Sequence, residues 1–302
     1  MSLKVSICIP AYNQPQYIIQ CIESALAQDY ENIEVVVNDD STDDETKKLL
    51  LKYSDVIKFR YYKTTDNIGR VANYRKLLYE YAKGDWVVML DGDDYYIDHC
   101  YISKAVSLIK ENNTVVLVGA GILIRDADKN IEYSYTLCNE SIVFDGKEVF
   151  TKYKKIPNHQ TDLYNREKAM ALDFYRDPSM GSDSESIYRL CLRGDVGYIA
   201  QDAAVWRLHN ENTSFNRDLK TQMKEITFID RIYKDALNYL SISELKSWKG
   251  IMKNYAGNHL LQIAINQKKS TSVWVIAFKY FNVQSALLHL VRYYRLQIVR
   301  EK

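Results

Sequence analysis

Short apolar segments alternate with amphipathic segments over the first 125 residues. The apolar segments are rich in β-branched residues and have the length of strands, and the last is almost wholly apolar, as expected for a central strand covered on both faces. Between them, apolar residues recur at helical spacing. Strands are predicted at residues 5–9, 33–37, 57–62 and 86–90, and helices at residues 16–28, 42–53 and 70–82. This alternation predicts an α/β fold with a parallel sheet flanked by helices.

The rest of the chain has a different pattern. Residues 114 to 210 mix short strand-like stretches with turns, including one at residues 126–130, and contain one helical stretch from Ser184 to Arg193. From about Leu219 onward the pattern is helical, with breaks near residues 241–243 and 267–272. We therefore predict a main α/β domain over residues 1–215 and a helical C-terminal extension over residues 216–302.

Polar loops follow all four predicted strands. Ligands of parallel sheets bind outside the carboxyl ends of the strands, so these loops are the candidate site. They comprise residues 10–13, 38–43, 64–70 and 91–94. Two of the loops are crowded with carboxylates, and such a cleft needs a cation if it is to hold an anionic ligand.

The most specific local signal is Asp91-Gly92-Asp93, directly after the fourth strand. Two carboxylates separated by one residue on a turn can point into one site, and hard oxygen ligands suit Mg²⁺ or Mn²⁺ completed by substrate phosphates. Such a cation would bridge a diphosphate and act as a Lewis acid for its departure. The alternative is a solvated acidic turn, because Asp and Gly are common in turns.

A second acidic loop, which contains Asp39, follows the second strand. A carboxylate there can accept the N3–H of uracil, which gives base selectivity. The structural alternative is that Ser41 caps the following helix and the acids occupy its first turn. Both interpretations can hold together.

These segments together resemble the family 2 glycosyltransferases. The resemblance rests on Ile9-Pro10-Ala11-Tyr12-Asn13, Asn38-Asp39-Asp40-Ser41-Thr42-Asp43, Asp66-Asn67-Ile68-Gly69, Gly84-Asp85, Leu90-Asp91-Gly92-Asp93-Asp94, Gly181-Ser182-Asp183, Arg189-Leu190, Arg193-Gly194 and Arg207-Leu208-His209. It implies the GT-A (nucleotide-diphospho-sugar transferase) fold, with a mostly parallel central sheet, a nucleotide-binding half at residues 1–95 and an acceptor half at residues 96–215. It further implies inversion of the sugar's anomeric configuration and, in most members, a UDP-sugar donor.

Carried over position by position, the resemblance implies a role for each motif residue. Asp39 would bind uracil, Asp91 the ribose or metal-bound water, Asp93 the metal, and Asp183 would be the catalytic base. The remaining donor-binding positions are Pro10, Ala11, Tyr12, Asn13, Asp66, Asn67 and Gly92. Two positions depart from the family pattern: Asp40 replaces the usual Gly, so the local turn is expected to differ, and Ser182 replaces an acid common before the base.

The chemistry asks for a base independently of the resemblance. In a single inverting displacement the acceptor hydroxyl loses its proton as it attacks, and a carboxylate on that face can accept it. Asp183 and Glu185 are candidates, and Asp183 is preferred because Glu185 lies two residues further along the helix and points elsewhere. Alternatively, both simply open a helix, where acids are favourable against its dipole.

Arg70 and His209 are the remaining candidates. Arg70 opens a helix beyond the third strand's loop, where a guanidinium can contact a diphosphate, although an ordinary surface arginine fits the sequence too. As a neutral imidazole, His209 can contact the metal or a phosphate, and the alternative is an ordinary loop histidine.

Composition restricts the partners. The net charge of +1 argues against nucleic acid as the main partner. Five cysteines without CxxC spacing favour a reducing compartment. The sequence shows no signal peptide, and its apolar stretches, such as residues 273–278, are too short to span a bilayer, so we expect a cytoplasmic protein, free or on the inner face of the membrane.

Charge is distributed unevenly along the chain. Residues 246–302 contain ten basic residues and one acid, which gives +9 and leaves −8 for residues 1–245. Interleaved with aromatic residues, this tail suits an anionic membrane surface. Packing on the acidic main domain and a subunit interface are the alternatives.

We therefore expect a metal-dependent hexosyl- or N-acetylhexosaminyltransferase that moves a sugar from a UDP-sugar to a hydroxyl of a glycan, glycolipid or glycoprotein, in bacterial surface polysaccharide or glycoconjugate synthesis. The stretch at residues 156–160 is expected beside the acceptor. A nucleotidyltransferase would need a Gly-rich phosphate loop with an early basic residue, and an oxidoreductase would need GxGxxG after the first strand; the sequence has neither. A catalytically inactive binding protein stays open, although Asp93 and Asp183 are both present.

Overall fold

The chain forms two compact units. The structure is a computed structural model that describes residues 2–126, 128–152, 158–179, 181–209, 212, 219, 222–223, 226–267, 270–280, 288 and 290. The first unit comprises Met1–Phe150 and Lys155–Asn212, and the second comprises Thr151–Lys154 and Thr213–Lys302. The expectations for residues 156 and 157 and for most of the tail after residue 280 lie outside the described residues.

The first unit opens with the predicted alternation of strands and helices. The parallel strands are β1 (Val5–Ala11), β2 (Ile33–Asp39), β3 (Phe59–Lys63) and β4 (Trp86–Met89), and the helices are α1 (Pro15–Leu26), α2 (Glu45–Leu50) and α3 (Arg70–Lys76), which continues into a π-helical segment at Leu77–Tyr81. β1 lies between β2 and β4, and β3 is on the outside of β2. The predicted parallel arrangement is confirmed for these strands.

The ends of two elements differ from the prediction. α2 begins at Glu45, three residues later than the predicted start, and Ser41 does not cap it. The Ser41 hydroxyl instead accepts a hydrogen bond from the backbone N–H of Asn13 at 2.8 Å, while Asp43 accepts from the N–H of Glu45 at 2.9 Å. The capping prediction for Ser41 was wrong because the loop after β1 reaches its hydroxyl.

The second half of this unit turns the sheet into a mixed one. It adds α4 (Tyr101–Glu111), α5 (Gly146–Lys152), α6 (Arg166–Ala171) and α7 (Ser182–Cys191), and the strands β5 (Tyr95–Tyr96), β6 (Val115–Asp126), β7 (Ile131–Tyr135), β8 (Ile142–Phe144), β9 (Leu163–Asn165) and β10 (Asp195–Leu208). The sheet order is β3-β2-β1-β4-β9-β6-β10-β5. β9 pairs antiparallel with both β4 and β6, so the expectation of a mostly parallel sheet holds for the first four strands and for the β6–β10 pair only.

Apolar side chains cover the sheet and stabilise it. The apolar side chains of β1, β2 and β4 are almost fully buried, and they form one core with residues from α1 and α4. The strands therefore have rigid positions, and the loops at their carboxyl ends are held at fixed places along one edge.

The second unit is helical, as predicted. Its described helices are α8 (Phe228–Ala236), α9 (Ile242–Asn266) and α10 (Ser270–Tyr280). Ser241 and Glu244 form a reciprocal capping box at the start of α9, which is the predicted break. Leu260, Leu261 and Ala264 of α9 pack with Val273 and Ile276 of α10 in a small core. Among the described helices, none combines the length and apolar content needed to cross a bilayer.

Candidate active site

A glycine brings the acidic turn after β4 against the end of β1. The N–H of Gly92 donates to the carbonyl oxygen of Pro10 at 3.2 Å. A Cβ at this position would lie 3.1 Å from that same oxygen, so any side chain would push the two loops apart. The Asp91-Gly92-Asp93 turn is therefore anchored beside the predicted donor-binding loop.

Three carboxylates converge at this turn. Asp91, Asp93 and Asp94 each offer an oxygen, and these oxygens all lie within 4.8 Å of one another. The Tyr74 hydroxyl donates to Asp91 at 2.8 Å. Asp93 lies within hydrogen-bond distance of Gln14 at 3.1 Å and of His209 Nε2 at 3.0 Å. The turn therefore brings together the two predicted metal ligands and His209.

Electrostatics at the turn favour a bound cation. Burial raises the pKa of Asp91, and the neighbouring Asp93 raises it further, against the lowering effects of His159 and Arg70. The pKa of Asp94 is raised well above its usual range by burial and by the other two carboxylates. Buried like charges in such proximity call for a positive partner.

Asp94 holds the site together. Its two oxygens accept hydrogen bonds from the backbone N–H of Arg207 at 2.9 Å and from the Gln160 side chain at 2.8 Å. These bonds tie the turn to β10 and to the segment before β9. With Asp94 occupied in this way, Asp91, Asp93 and His209 are the set whose chemistry fits Mg²⁺ or Mn²⁺.

Asp39 is fully buried at the end of β2. One of its oxygens accepts from the N–H of Ser41 at 3.0 Å, and the other accepts from the Tyr61 hydroxyl at 2.7 Å and from Lys63 at 3.3 Å. Burial and the bond to Asp39 raise the pKa of Tyr61. Both oxygens are thus already bonded, and the role of Asp39 in reading a base stays a prediction.

Asp40 holds the loop that follows β3. Its buried carboxylate accepts from the backbone N–H groups of Ile68 and Gly69, both at 2.9 Å. It also accepts from the side chains of Thr64 at 2.7 Å and Asn67 at 3.0 Å. Asp40, which stands where the family usually has Gly, therefore makes four hydrogen bonds that clamp the loop leading into α3.

Arg70 and Asp183 are brought together around one tyrosine. Arg70 begins α3, and its guanidinium lies over the Tyr74 ring at 5.3 Å. Asp183 lies in the first turn of α7 and is half-buried. Burial raises the pKa of Tyr74 well above its usual range, and Asp91 and Asp183 both contribute to the rise. A carboxylate of the acidic turn and the carboxylate of Asp183 thus both influence Tyr74.

Glu185 occupies a different environment. It is fully buried, and its oxygens pair with Arg176 at 2.6 Å and with Arg189 at 2.8 Å. A buried carboxylate held in two ion pairs is poorly suited to accept a proton from a substrate. Between the two candidate bases, the geometry favours Asp183.

The other predicted donor-binding residues range from exposed to buried. Tyr12 is 49% exposed, and Asp66 and Asn67 are exposed. Asn13 adopts a positive φ of 49° and binds Thr42 through its side chain, with Thr42 N–H donating at 3.0 Å. Ala11 is buried, and its carbonyl accepts from the N–H of Asp40 at 2.9 Å. The structure therefore places Tyr12 and Asp66 at the rim and Asp91, Asp93, Arg70, Asp183 and His209 inside.

Several polar residues of the site were not predicted as such. They are Gln14, Tyr74, Arg207 and Asn212, all of which contact the acidic turn. Gln160, from the stretch expected beside the acceptor, bonds to Asp94. Gln14 directly follows the predicted site loop at residues 10–13, and Arg207 is part of the Arg207-Leu208-His209 motif. Their positions next to predicted site residues were therefore a usable signal. Tyr74 lies one helical turn from Arg70, and that spacing is the only signal it carries.

Sequence comparison finds relatives that cover part of the chain. A glycosyltransferase of Rickettsia typhi, itself uncharacterized, is 35% identical over 129 residues, which are 43% of this chain and 39% of that protein. The poly(ribitol-phosphate) β-N-acetylglucosaminyltransferase TarS of Staphylococcus aureus is 30% identical over 118 residues, 38% of this chain and 20% of TarS. The matches thus span well under half of these relatives.

Solved structures extend the similarity to nearly the whole chain. S. aureus TarS 1–349 in complex with UDP-GlcNAc has a TM-score of 0.70 at 17% identity and covers 96% of this chain and 80% of that one. Mannosyltransferase PcManGT from Pyrobaculum calidifontis, in complex with GDP-Man and Mn²⁺, has a TM-score of 0.59 at 16% identity. The match covers 99% of this chain and 81% of that one. These likenesses show the fold, which is the predicted GT-A fold.

The sequence profile of glycosyl transferase family 2 matches residues 6–169, more than half of the chain. With the relatives and the fold in agreement, the chain belongs to glycosyl transferase family 2.

Proposed function

We propose that this protein is an inverting glycosyltransferase that moves a sugar from a UDP-sugar to an acceptor hydroxyl. The observation that carries the proposal is the convergence of Asp91, Asp93 and His209 at one turn, with the half-buried Asp183 near enough to act electrostatically on Tyr74 and Arg70. An in-line displacement needs a cation for the leaving diphosphate and a base for the attacking hydroxyl.

Asp93, Asp91 and His209 would hold a divalent cation, Mn²⁺ or Mg²⁺. When bound, that cation supplies Lewis-acid stabilisation of the diphosphate that leaves. Arg70, at the start of α3, adds a fixed positive charge facing Asp91 and Asp183, where a guanidinium can bind phosphate oxygens. Tyr74 holds Asp91 in place through its hydroxyl.

Asp183 would accept the proton of the acceptor hydroxyl as the new glycosidic bond forms. It lies in the first turn of α7, where acidic side chains are favourable against the helix dipole. Removal of the proton at this point makes the oxygen a stronger nucleophile and raises the rate by about 10²–10⁴-fold.

The donor would be bound through the loops after β1, β2 and β3. In this proposal, Asp39 reads uracil, Pro10 to Asn13 line the nucleoside pocket, and Asp66, Asn67 and Gly92 complete the donor site. The UDP-GlcNAc complex of TarS supports a UDP-sugar, and the GDP-Man complex of the archaeal enzyme supports a nucleotide-sugar donor with a divalent cation. We propose a hexose or N-acetylhexosamine as the sugar and a glycan, glycolipid or glycoprotein as the acceptor, in bacterial surface polysaccharide or glycoconjugate synthesis.

We also propose that the helical second unit contacts an anionic membrane surface from the cytoplasmic side, with a subunit interface as the alternative. Trp274 and Phe278 are 42% and 49% exposed and stack at 6.0 Å. Trp248, in contrast, is buried, and Lys249 pairs with Asp230 at 2.6 Å. Flotation with anionic and neutral vesicles tests this: salt-sensitive binding to anionic vesicles alone supports it, and no binding at low salt contradicts it.

Screening UDP-sugars for hydrolysis to UDP tests the catalytic proposal. We expect one or more UDP-sugars to release UDP only when Mn²⁺ or Mg²⁺ is present. The Asp93→Asn variant is the control and should release none above background, because it removes the central metal ligand. If the native protein releases UDP equally in the presence of a chelator, or from no UDP-sugar at all, the proposal is wrong.

A further inference from the structure

A short 3₁₀ turn at His159–Thr161 is fixed rigidly beside the acidic turn. The Thr161 hydroxyl accepts from the N–H of Ala120 at 3.2 Å and donates to its carbonyl at 3.1 Å, which joins the turn to β6. Gln160 donates to Asp94 at 2.8 Å. The turn therefore has one position relative to the candidate metal ligands.

This turn carries buried polar atoms that lack hydrogen-bond partners within the described part of the chain. They are Asn158 Nδ2, His159 Nε2 and Asp162 Oδ1. Buried polar atoms in native proteins are nearly always hydrogen-bonded, because an unmade bond costs the full desolvation of the group. Three such atoms within five residues indicate a segment built to bind a polar ligand.

The turn lies beside the Asp91 end of the site. His159 Nε2 is 3.8 Å from an Asp91 carboxylate oxygen, too far for a hydrogen bond, and its ring packs on Tyr74 at a centroid distance of 5.1 Å. At the other end of the turn, Asp162 is buried. The segment thus borders the metal side of the site through His159.

We infer that His159 Nε2 binds a hydroxyl or amide group of the sugar that is transferred, and that the turn forms part of the sugar subsite. This rests on the proposed function. In an in-line displacement the sugar lies next to the leaving diphosphate, and His159 borders that space from the Asp91 side. The donor sugar is favoured over the acceptor because His159 lies at the Asp91 end, where the sugar is joined to the diphosphate.

Two substitutions distinguish a hydrogen bond from His159 Nε2 to the sugar from the packing of the His159 ring on Tyr74. His159→Phe keeps a ring against Tyr74 and removes the nitrogen, whereas His159→Gln retains an amide nitrogen near the position of Nε2. His99→Phe is the matched control, since His99 is exposed in the loop before α4. Each protein is titrated calorimetrically in Mn²⁺ with UDP and with the UDP-sugars of the screen above, UDP-GlcNAc first.

In His159→Phe we expect UDP-sugar affinity to fall about five- to tenfold, the loss of one hydrogen bond, while UDP affinity stays within about twofold. His159→Gln should recover most of the loss, and His99→Phe should match the native protein. Equal losses for UDP and UDP-sugar, or no loss for either, would overturn the inference. If the native protein binds neither UDP nor any UDP-sugar, the proposed function itself falls, and that outcome is distinct from the others.

Discussion

The two ends of the parallel strands both carry buried carboxylates, in opposite electrostatic settings. At the amino ends, Glu34 of β2 accepts hydrogen bonds from Ser6 at 2.6 Å, from Lys4 at 2.9 Å and from the backbone N–H of Lys83 at 2.6 Å, and it pairs with Arg60 at 3.4 Å. At the carboxyl ends, Asp91, Asp93 and Asp94 face one another.

The pKa directions differ accordingly. Burial raises the pKa of Glu34, but the bonds from Lys4, Ser6 and Lys83 lower it more, so the pKa lies below its usual 4.5. Burial and mutual repulsion raise the pKa of Asp91 and Asp94. A carboxylate that is charged and fully paired supports the fold, whereas crowded carboxylates with raised pKa values indicate a binding site for a cation.

If this contrast is right, the base side of the site can be altered without loss of stability. Asp183→Asn should lower the transfer rate about 10²–10⁴-fold, because the acceptor proton has no base. UDP affinity should stay within about twofold, and stability should fall by less than about 1 kcal/mol, the value of one acid at a helix N-terminus. Transfer assays, calorimetry and thermal unfolding measure the three quantities.

Glu167→Gln is the matched control, because Glu167 is an exposed acid in the first turn of α6. It should leave all three quantities near native values. Near-normal turnover by Asp183→Asn would remove Asp183 as the base and shift the assignment to another group.

The amino end should respond in the opposite way. Glu34→Gln removes the charge that Lys4 and Arg60 face, and we expect a loss of about 2–3 kcal/mol in the free energy of unfolding. UDP affinity should not change. Denaturant unfolding measures the loss, with the exposed Glu31→Gln as control. A UDP affinity that falls with stability would show that the two ends are not independent.

The same residue gives a pH dependence with a defined sign. Because its pKa is lower in the folded state, folding is favoured by ionised Glu34 above about pH 4.5, and this contribution is lost as the pH falls through the folded pKa. The stability difference between native protein and Glu34→Gln should therefore be constant at neutral pH and shrink below about pH 4.5. A difference that grows on acidification would contradict the lowered pKa.

Asp40 gives a further test of the contrast between the two ends of the strands. It lies at the carboxyl ends, where the candidate site is, but its carboxylate is fully hydrogen-bonded. Asp40→Asn places an amide N–H₂ against donors such as Asn67 and the N–H of Gly69, so the loop before Arg70 should shift. We expect UDP affinity to fall about fivefold and stability by about 1 kcal/mol. Asp44→Asn is the control, since Asp44 is largely exposed. Unchanged UDP affinity would show that the clamp serves the fold alone.

The parts of the fold that depend on hydrophobic periodicity could be predicted from the sequence. The first four strands and the helical second unit follow from apolar spacing, and the turn at Asp91 follows from its place at a strand end. The pairing of β9 between β4 and β6 could not be predicted, because a strand of three residues carries no periodic signal. Ser41 was misassigned for a related reason, since its bond to Asn13 joins two loops.

The candidate site, too, has features that the sequence predicts and contacts that it does not. Candidate ligands were predicted because motif and topology agree on them. The bonds that position them, such as Tyr74 to Asp91 and Asp40 to the loop after β3, join residues 17 to 29 positions apart along the chain. Such contacts depend on where helices and loops pack, and local sequence does not encode that.

UDP binding with and without a divalent cation tests the central claim most directly. Asp91 and Asp93 repel a diphosphate unless a cation lies between them. Calorimetry should therefore show UDP binding in Mn²⁺ or Mg²⁺ that is lost in a chelator, and Asp93→Asn should remove the cation's effect. Equal UDP affinity in cation and in chelator would contradict the account of this acidic turn as a metal-dependent nucleotide-sugar site.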